Sequence, residues 1–367
     1  MAHVFPGIAF TPQQNANFLQ NLGRRRTAIA EFMKEDVSRS DVFILFDGHR
    51  LITSSQTMAW AELGYDAKRR SMPQTNLLYV YSLGNDVAAP VYYKQYLGST
   101  PDVSAYPNIL QECGIAHKNY TVIADKELAS EEDFDELTRL DLQYVIPIKR
   151  GSRVVAERLP LNPGCYTDVF TDNDRAIQAF KIEKNGFNVF VFFDAQRYAN
   201  ELADVVTRAN ENNEGCDRTV QMEVLRQTPE MGTFTLRTNR LDLNSQQIYQ
   251  AYKQRQAIEQ FVKTYGVSMD FEASYVRDQA SQEGWLFLNH LSTSIGMACL
   301  ADMARLWEEE GISFEDLRQT LGRIMASKVN GQWSVSPIKN ATQKLMNKLQ
   351  FSIEDADLEA LLPKEGT

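Results

Sequence analysis

Two periods of apolar and polar positions run along the chain, and together they predict an α/β protein. Short apolar runs that are rich in β-branched residues and bounded by turn residues predict buried strands. They lie at residues 42–46, 77–82, 89–97, 120–124 and 143–148. Apolar positions at helical spacing predict helices, which fall at residues 27–36, 103–113, 196–210, 277–307 and 313–326, with a further helix beginning at Ser130.

Residues 151–232 have a different pattern, because their apolar runs are shorter and are separated by Gly and Pro. This spacing predicts a series of short strands. The runs are Val154-Val155, Val169-Phe170, 180–182 and 188–193. Residues 233–240 then predict a strand that returns to the main sheet.

An uninterrupted helical pattern covers residues 245–263, which contain neither Pro nor Gly and whose start can be capped by Ser245 or Asn244. One stripe is apolar and includes Ile248 and Ala251. A second stripe carries Tyr252, Arg255 and Glu259 at positions i, i+3 and i+7. A charged stripe of this kind is ordinarily a solvated helix face.

Two of the predicted strands run directly into a carboxylate. Residues 42–46 are followed by Asp47, and residues 120–124 are followed by Asp125. Sites in open α/β sheets form outside the carboxyl ends of strands, so these two aspartates and Glu259 are expected to converge. Three facing carboxylates repel one another unless a cation is present. Oxygen ligands suit Mg²⁺ or Mn²⁺.

Asp47, Asp125 and Glu259 resemble the DDE triad of transposases that have an RNase H-like core. The pattern Tyr252-x2-Arg255-x3-Glu259 resembles the start of the signature of the IS4-type branch. Further stretches are similar to that branch and bring the resemblance to roughly residues 42–350; they lie at 64–65, 73–79, 90–93, 98–102, 124–126 and 144–150.

This resemblance implies a fold class and a segment order. The expected fold is an RNase H-like core, a mixed sheet flanked by helices, which a β-rich insertion interrupts. Five segments are expected. An N-terminal segment at 1–40, which we interpret as the remnant of a DNA-binding region, is followed by the first part of the core at 41–150 and the insertion at 151–232. The second part of the core with C-terminal helices then covers 233–350, followed by an acidic tail at 351–367.

The resemblance also implies an activity, which is metal-dependent phosphodiester hydrolysis and strand transfer at transposon ends. Two Mg²⁺ or Mn²⁺ ions are expected, with Asp47 bridging both, Asp125 holding one and Glu259 holding the other. Tyr252, Arg255 and Lys263 would support this site. The implied partners are transposon-end DNA, target DNA and a second copy of the chain in the DNA complex. The implied location is the nucleoid in a prokaryotic cytoplasm, without a membrane.

Three positions depart from the family pattern. Gly266 stands where the signature has a lysine, and Lys263, one helical turn nearer, is the predicted substitute. His49 replaces the threonine of the first motif, and Glu127 replaces the glycine of the second. None of these changes removes a predicted metal ligand.

The overall charge argues against a general nucleic-acid binder, because the net charge is −10 and such proteins usually carry a basic surplus. Local basic clusters nevertheless predict a DNA groove, since phosphate contacts depend on local charge. The candidates are Lys68, Arg69, Arg70, Lys149, Arg150, Lys328 and Lys339. Segment 323–348 contains no acidic residue, whereas the acidic tail is expected to lie away from the groove or to shield it.

Two other functions remain open on the sequence. One is a degenerate transposase relative that binds DNA or protein without cutting, which the net charge and the three departures favour. The other is a host nuclease with the same core. A zinc site is not expected, because the four cysteines form no CxxC pair and the four histidines are scattered.

Overall fold

The computed structural model of the 367-residue chain describes residues 11–40, 42–65, 71–84, 88–156, 166–212, 230–255, 273–274, 276–310, 314–329 and 332–348. The chain divides into two compact units. One comprises Asn17–Ser294, and the other comprises Met1–Ala16 with Ile295–Thr367. Several predicted features lie outside the described residues, namely Lys68, Arg69, Arg70, Glu259, Lys263, Gly266 and the acidic tail.

A mixed sheet forms the centre of the larger unit. Its first six strands are β1 (Phe43–Thr53), β2 (Glu62–Tyr65), β3 (Ser71–Leu83), β4 (Ala88–Leu97), β5 (Thr121–Ile123) and β6 (Gln143–Ile148). Strand β3 pairs antiparallel with β1 and with β4, while β5 lies parallel between β1 and β6. An antiparallel meander followed by two parallel strands is the arrangement expected of the RNase H-like core, so the predicted fold class is confirmed.

The strands of the predicted insertion continue this sheet. They are β7 (Asp168–Asp172), β8 (Arg175–Lys184) and β9 (Phe187–Asp194), followed by β10 (Thr233–Thr238). Strand β10 lies antiparallel between β6 and β9 and so joins the two groups of strands. A two-residue strand, β11 (Ala273–Ser274), pairs with the end of β1.

One predicted strand of this region is wrong. Val154 and Val155 lie in a single helical turn, α5 (Arg153–Ala156). Val155 is buried against Phe180 and Val191 of the sheet. A two-residue apolar run does not distinguish a strand from a buried helical turn, and the packing against β8 and β9 decided the outcome.

Helices precede, separate and follow the strands of the sheet along the chain. They are α1 (Pro12–Gly23), α2 (Arg26–Ser38), α3 (Asp102–Glu112), α4 (Glu131–Arg139), α6 (Ala195–Asn212), α7 (residues 245–255 as described) and α8 (Gln279–Glu310). Helix α4 begins as predicted, because the Ser130 side chain accepts a hydrogen bond from the Asp133 amide in a reciprocal capping box.

The smaller unit contains α9 (Phe314–Leu321), the hairpin β12 (Ala326–Val329) and β13 (Gln332–Val335), and α10 (Asn340–Lys348). The predicted helix 313–326 therefore ends five residues early, at Leu321, since the following residues pair as a hairpin. Lys328 lies on β12, and Lys339 is exposed just before α10. Among the helices described in either unit, none is long and apolar enough to cross a membrane.

Candidate active site

Asp47 and Asp125 follow the paired residues of two neighbouring parallel strands, β1 and β5. The pairing of β1 with β5 ends at Leu45 opposite Ile123. Asp47 lies two residues further along β1, and Asp125 lies two residues past the end of β5, where its backbone is still extended, with φ −76° and ψ 162°. Since side chains alternate between the faces of a sheet, both aspartates belong to the face of Leu45 and Ile123. Both carboxylates that the sequence singled out therefore follow the last pair between β1 and β5.

Asp125 is held by two kinds of donor. Its carboxylate caps the 3₁₀ turn Lys126–Leu128 by accepting a hydrogen bond from the Lys126 amide. It also accepts one from Nη2 of Arg255, at 3.0 Å. The Arg255 side chain is only 12% exposed, whereas that of Asp125 is 46% exposed. One side of this carboxylate thus faces a buried guanidinium and the other remains accessible.

Helix α7 brings Arg255 to this position because its apolar side is anchored on the insertion strands. Ile248 and Ala251 are buried, as predicted. The Tyr249 ring, 1% exposed, packs against the rings of Phe170, Phe192 and Phe234.

Polar contacts fix the same helix. The hydroxyl of Tyr249 donates a hydrogen bond to Asp172 at 3.2 Å, and Ser245 donates one to Asp168. At the other end of the helix, Arg255 Nη1 donates to the hydroxyl of Tyr252 at 3.2 Å. Of the predicted second stripe, Arg255 therefore contacts Asp125 and Tyr252 contacts Arg255, while Glu259 lies outside the described residues.

His49 lies beside Asp47 on the same face of β1, two residues further along. Its Nε2 is 3.3 Å from Oδ2 of Asp47. This nitrogen is buried and has no hydrogen-bond partner among the residues that the structure describes. The His49 ring makes an edge contact with Tyr79 of β3, at 6.0 Å between ring centroids.

Position 48 lies on the opposite face of β1, where close packing leaves no room for a side chain. This explains why a glycine follows Asp47. A Cβ atom at this position would lie 2.2 Å from Oδ2 of Asp102. The Asp102 carboxylate is fixed there, because Arg50 Nη2 and Asn76 Nδ2 donate to its Oδ1 at 2.9 and 2.7 Å. A side chain at position 48 would therefore displace this network below the site.

An open cleft of about 420 Å³ begins at Asp125 and extends between β6, β10, α6 and α7. Basic residues outnumber acidic ones along its walls, which include Asp125, Lys126, Lys149, Arg150, Arg197, Glu230, Tyr252 and Lys253. Such a surface suits an anionic ligand.

Arg150 is engaged within this cleft by Glu201 of α6. Its two terminal nitrogens donate to the two carboxylate oxygens, Nη1 at 2.8 Å. Glu201 also accepts from Arg197 Nε and from the Gly232 amide, each at 2.9 Å. Burial raises the pKa of Glu201, but these donors outweigh that effect and lower the pKa to about 2. Arg150 thus ties β6 to α6, while the neighbouring Lys149 is exposed.

The residues at this edge fit a divalent cation. DDE transposases generally use divalent metal ions. In the described part of the chain no three Asp, Glu, His or Cys residues form a cluster able to hold a metal. The carboxylates of Asp47 and Asp125 and the unpartnered Nε2 of His49 are nevertheless donors of the right chemistry. Glu259 follows Arg255 by one helical turn in the sequence.

Comparison with known proteins agrees with the motif analysis. The family model described as "Transposase DDE domain" matches residues 38–295. No curated protein sequence matches this chain.

Solved structures give weaker similarity. A piggyBac transposase synaptic complex with hairpin DNA is 11% identical with a TM-score of 0.40, over 89% of this chain and 59% of that chain. A pre-cleavage Mos1 transpososome is 11% identical with a TM-score of 0.19, over 37% of this chain and 44% of that chain. This chain thus spans 59% of the piggyBac chain and less than half of the Mos1 chain.

Proposed function

Because the chain belongs to the transposase DDE domain family, we propose that it is a DNA transposase that cuts and joins DNA with Asp47, Asp125 and Glu259. The observation that carries this proposal is that Asp47 and Asp125 each follow the last β1–β5 pair by two residues, with Arg255 of α7 in contact with Asp125. Two carboxylates on one face of a sheet, beside a basic cleft, favour metal-dependent chemistry on a phosphodiester.

The proposed cofactor is a pair of Mg²⁺ or Mn²⁺ ions. Asp47, Asp125 and Glu259 would together hold the two ions. When bound, such a pair activates the attacking oxygen and stabilises the leaving oxygen of an in-line displacement.

The protein groups then have separate tasks. Arg255 would hold a non-bridging phosphate oxygen, since its planar guanidinium offers two parallel donors. The Tyr252 hydroxyl, which accepts a hydrogen bond from Arg255, would orient that guanidinium. Lys263 would take the place of the lysine that is absent at position 266.

One site would serve two steps. In the first, water attacks phosphorus at the transposon end, and the bond to the 3′ oxygen breaks to leave a 3′ hydroxyl. In the second, this hydroxyl attacks a target phosphodiester and displaces the target's 3′ oxygen. Both steps are in-line displacements at phosphorus, so the same carboxylates can support both.

The proposed partners are transposon-end and target DNA and, in the DNA complex, a second copy of the chain. Exposed Lys149 at the cleft is the best-supported DNA contact among the described residues. Lys68, Arg69, Arg70, Lys328 and Lys339 are further proposed contacts, with Arg150 acting mainly through its pairing with Glu201. A prokaryotic nucleoid is the proposed location, because that is where such a DNA substrate lies.

A plasmid assay tests this proposal. The substrate is a supercoiled plasmid that carries the genomic sequences on both sides of the reading frame, incubated with Mg²⁺ or Mn²⁺. We expect nicking and joining at those flanks. Asp47→Asn and Asp125→Asn should each lower the rate by at least about 100-fold, because each change removes a negative metal ligand. Asp141→Asn is the matched control, since Asp141 is exposed and has a φ of 54°, which Asn tolerates.

Two results would favour the other candidates. Binding of the flanks without cutting would indicate a degenerate relative, a function favoured by the engagement of Asp125 with Arg255 and by the residues at 49, 127 and 266. Equal cutting of a plasmid that lacks the flanks would indicate a nuclease.

A further inference from the structure

We propose that His49 is a direct nitrogen ligand of the ion that Asp47 holds, which makes this a mixed nitrogen and oxygen site. The inference rests on the proposed function, since it assumes that Asp47 binds a metal. It adds a ligand at a position where this chain departs from the DDE family pattern.

The spacing of the two donor atoms fits one ion. Nε2 of His49 and Oδ2 of Asp47 are 3.3 Å apart. Two adjacent ligands of an octahedral ion, each about 2.1 Å from the metal, are separated by roughly 3 Å. Residues 47 and 49 lie on the same face of β1, so a small side-chain movement would give both atoms this separation.

Apart from the nearby Asp47 carboxylate, the His49 nitrogen has no polar neighbour that satisfies it among the described residues. Nε2 is buried, yet neither Asp47 nor any other described residue forms a hydrogen bond with it. A buried polar atom without a partner is costly, and such atoms in folded proteins call for an explanation. The contact with the Tyr79 ring limits rotation of the imidazole. A neutral imidazole offers a lone pair, and coordination to a metal would satisfy it.

A nitrogen ligand would change the relative affinity of the site for different metal ions. Mg²⁺ prefers oxygen ligands and retains several waters, whereas imidazole binds transition-metal ions better. The site should therefore favour Mn²⁺ over Mg²⁺ more strongly than a site made of carboxylates alone. His49→Gln retains a group that can hydrogen-bond Asp47 and removes the imidazole nitrogen.

Pulsed electron paramagnetic resonance of the full chain loaded with Mn²⁺ tests the ligand directly. We expect a ¹⁴N coupling typical of a metal-bound imidazole, which changes to a ¹⁵N coupling when histidine is labelled with ¹⁵N. His49→Gln should abolish it and weaken Mn²⁺ binding by about tenfold or more, with a smaller effect on Mg²⁺. His117→Asn is the control, because position 117 has a φ of 58°, which Asn tolerates, and it should leave the coupling intact.

The outcomes separate this inference from the proposed function. Mn²⁺ binding that requires Asp47 but shows no histidine coupling would overturn the inference and leave the metal site in place. Mn²⁺ binding that is unchanged in an Asp47→Asn, Asp125→Asn variant would overturn both. Circular dichroism of each variant confirms that the fold is retained.

Discussion

Arg255 and Asp125 form an ion pair between α7 and the end of β5, with Nη2 of Arg255 3.0 Å from Oδ2 of Asp125. The two residues are 130 positions apart, so the contact depends on the docking of α7 against the insertion strands. The pair places a guanidinium on the carboxylate that is proposed to hold a metal ion. Arg255 and a divalent cation should therefore compete for Asp125, and metal binding should release Arg255 towards a phosphate.

Substitutions of Arg255 should separate metal binding from catalysis. Arg255→Ala should raise the affinity for Mn²⁺, because a competing positive charge beside Asp125 is removed. The same change should lower DNA nicking by about 100-fold, since a donor to the phosphate is lost. Arg255→Lys should also lose most activity, because an ammonium group does not reproduce the bidentate contact. Calorimetry with Mn²⁺ and the plasmid assay measure the two effects, and full nicking by Arg255→Ala would exclude Arg255 from the site.

Lys149 and Arg150 are adjacent, but we expect replacement of Lys149 to affect DNA binding and replacement of Arg150 to affect the stability of the protein. Lys149→Ala should weaken binding to a short DNA duplex and lower the slope of log affinity against log salt by about one, as expected for one lost phosphate contact. Arg150→Ala should instead destabilise the protein by about 1–3 kcal/mol, because Glu201 loses a charged hydrogen-bond donor. Binding measured at several salt concentrations and chemical denaturation distinguish the two. Identical salt slopes for wild type and Lys149→Ala would remove Lys149 from the DNA contact.

Ionisation of Glu201 should make the free energy of unfolding depend on pH. Its pKa is about 2 in the folded protein against an ordinary value of 4.5. A lowered pKa in the folded state gives a stabilisation that is present above pH 4.5 and is lost as the pH falls towards 2. Glu201→Gln should be less stable than wild type near pH 7, and the difference should shrink between pH 4.5 and pH 2. Thermal unfolding across this range measures it, and a constant difference would show that ionisation of Glu201 is not the cause.

Tyr249 should control the position of α7. Tyr249→Ala removes a buried ring from the cluster of Phe170, Phe192 and Phe234 and should cost about 3–5 kcal/mol. Tyr249→Phe loses only the hydrogen bond to Asp172 and should cost about 1 kcal/mol. Tyr198→Ala, at a site that is 41% exposed, is the control. An unfolding free energy that is equal for Tyr249→Ala and Tyr198→Ala would contradict this role.

The sequence predicted the core strands well, because their apolar runs are long and rich in β-branched residues. Strand β6 was predicted at its observed bounds, and β5 within one residue of each end. Strand β1 was predicted to end at residue 46, but it continues to Thr53. Its polar residues Asp47, His49 and Arg50 pair with β3, and hydrophobic patterning does not detect pairing by polar residues.

The candidate site was predictable only in part. Asp47, Asp125 and Arg255 were singled out from predicted strand ends and a helical signature, although β1 continues past Asp47. The contacts that define the site were not predictable, because they join distant segments. Arg150 contacts Glu201 across 51 positions. Arg26 contacts Glu283 at 3.1 Å across 257 positions.

The central claim, that Asp47, Asp125 and Glu259 surround one metal site, is tested most directly by metal-directed cleavage of the polypeptide. Fe²⁺ bound in place of Mg²⁺ generates hydroxyl radicals with peroxide and ascorbate, and these cut the chain near the metal. We predict fragments that end near residues 47, 125 and 259, suppressed by excess Mn²⁺ and absent in Asp47→Asn, Asp125→Asn. Cutting near 47 and 125 without cutting near 259, or cutting that does not depend on Asp47 and Asp125, would contradict the account.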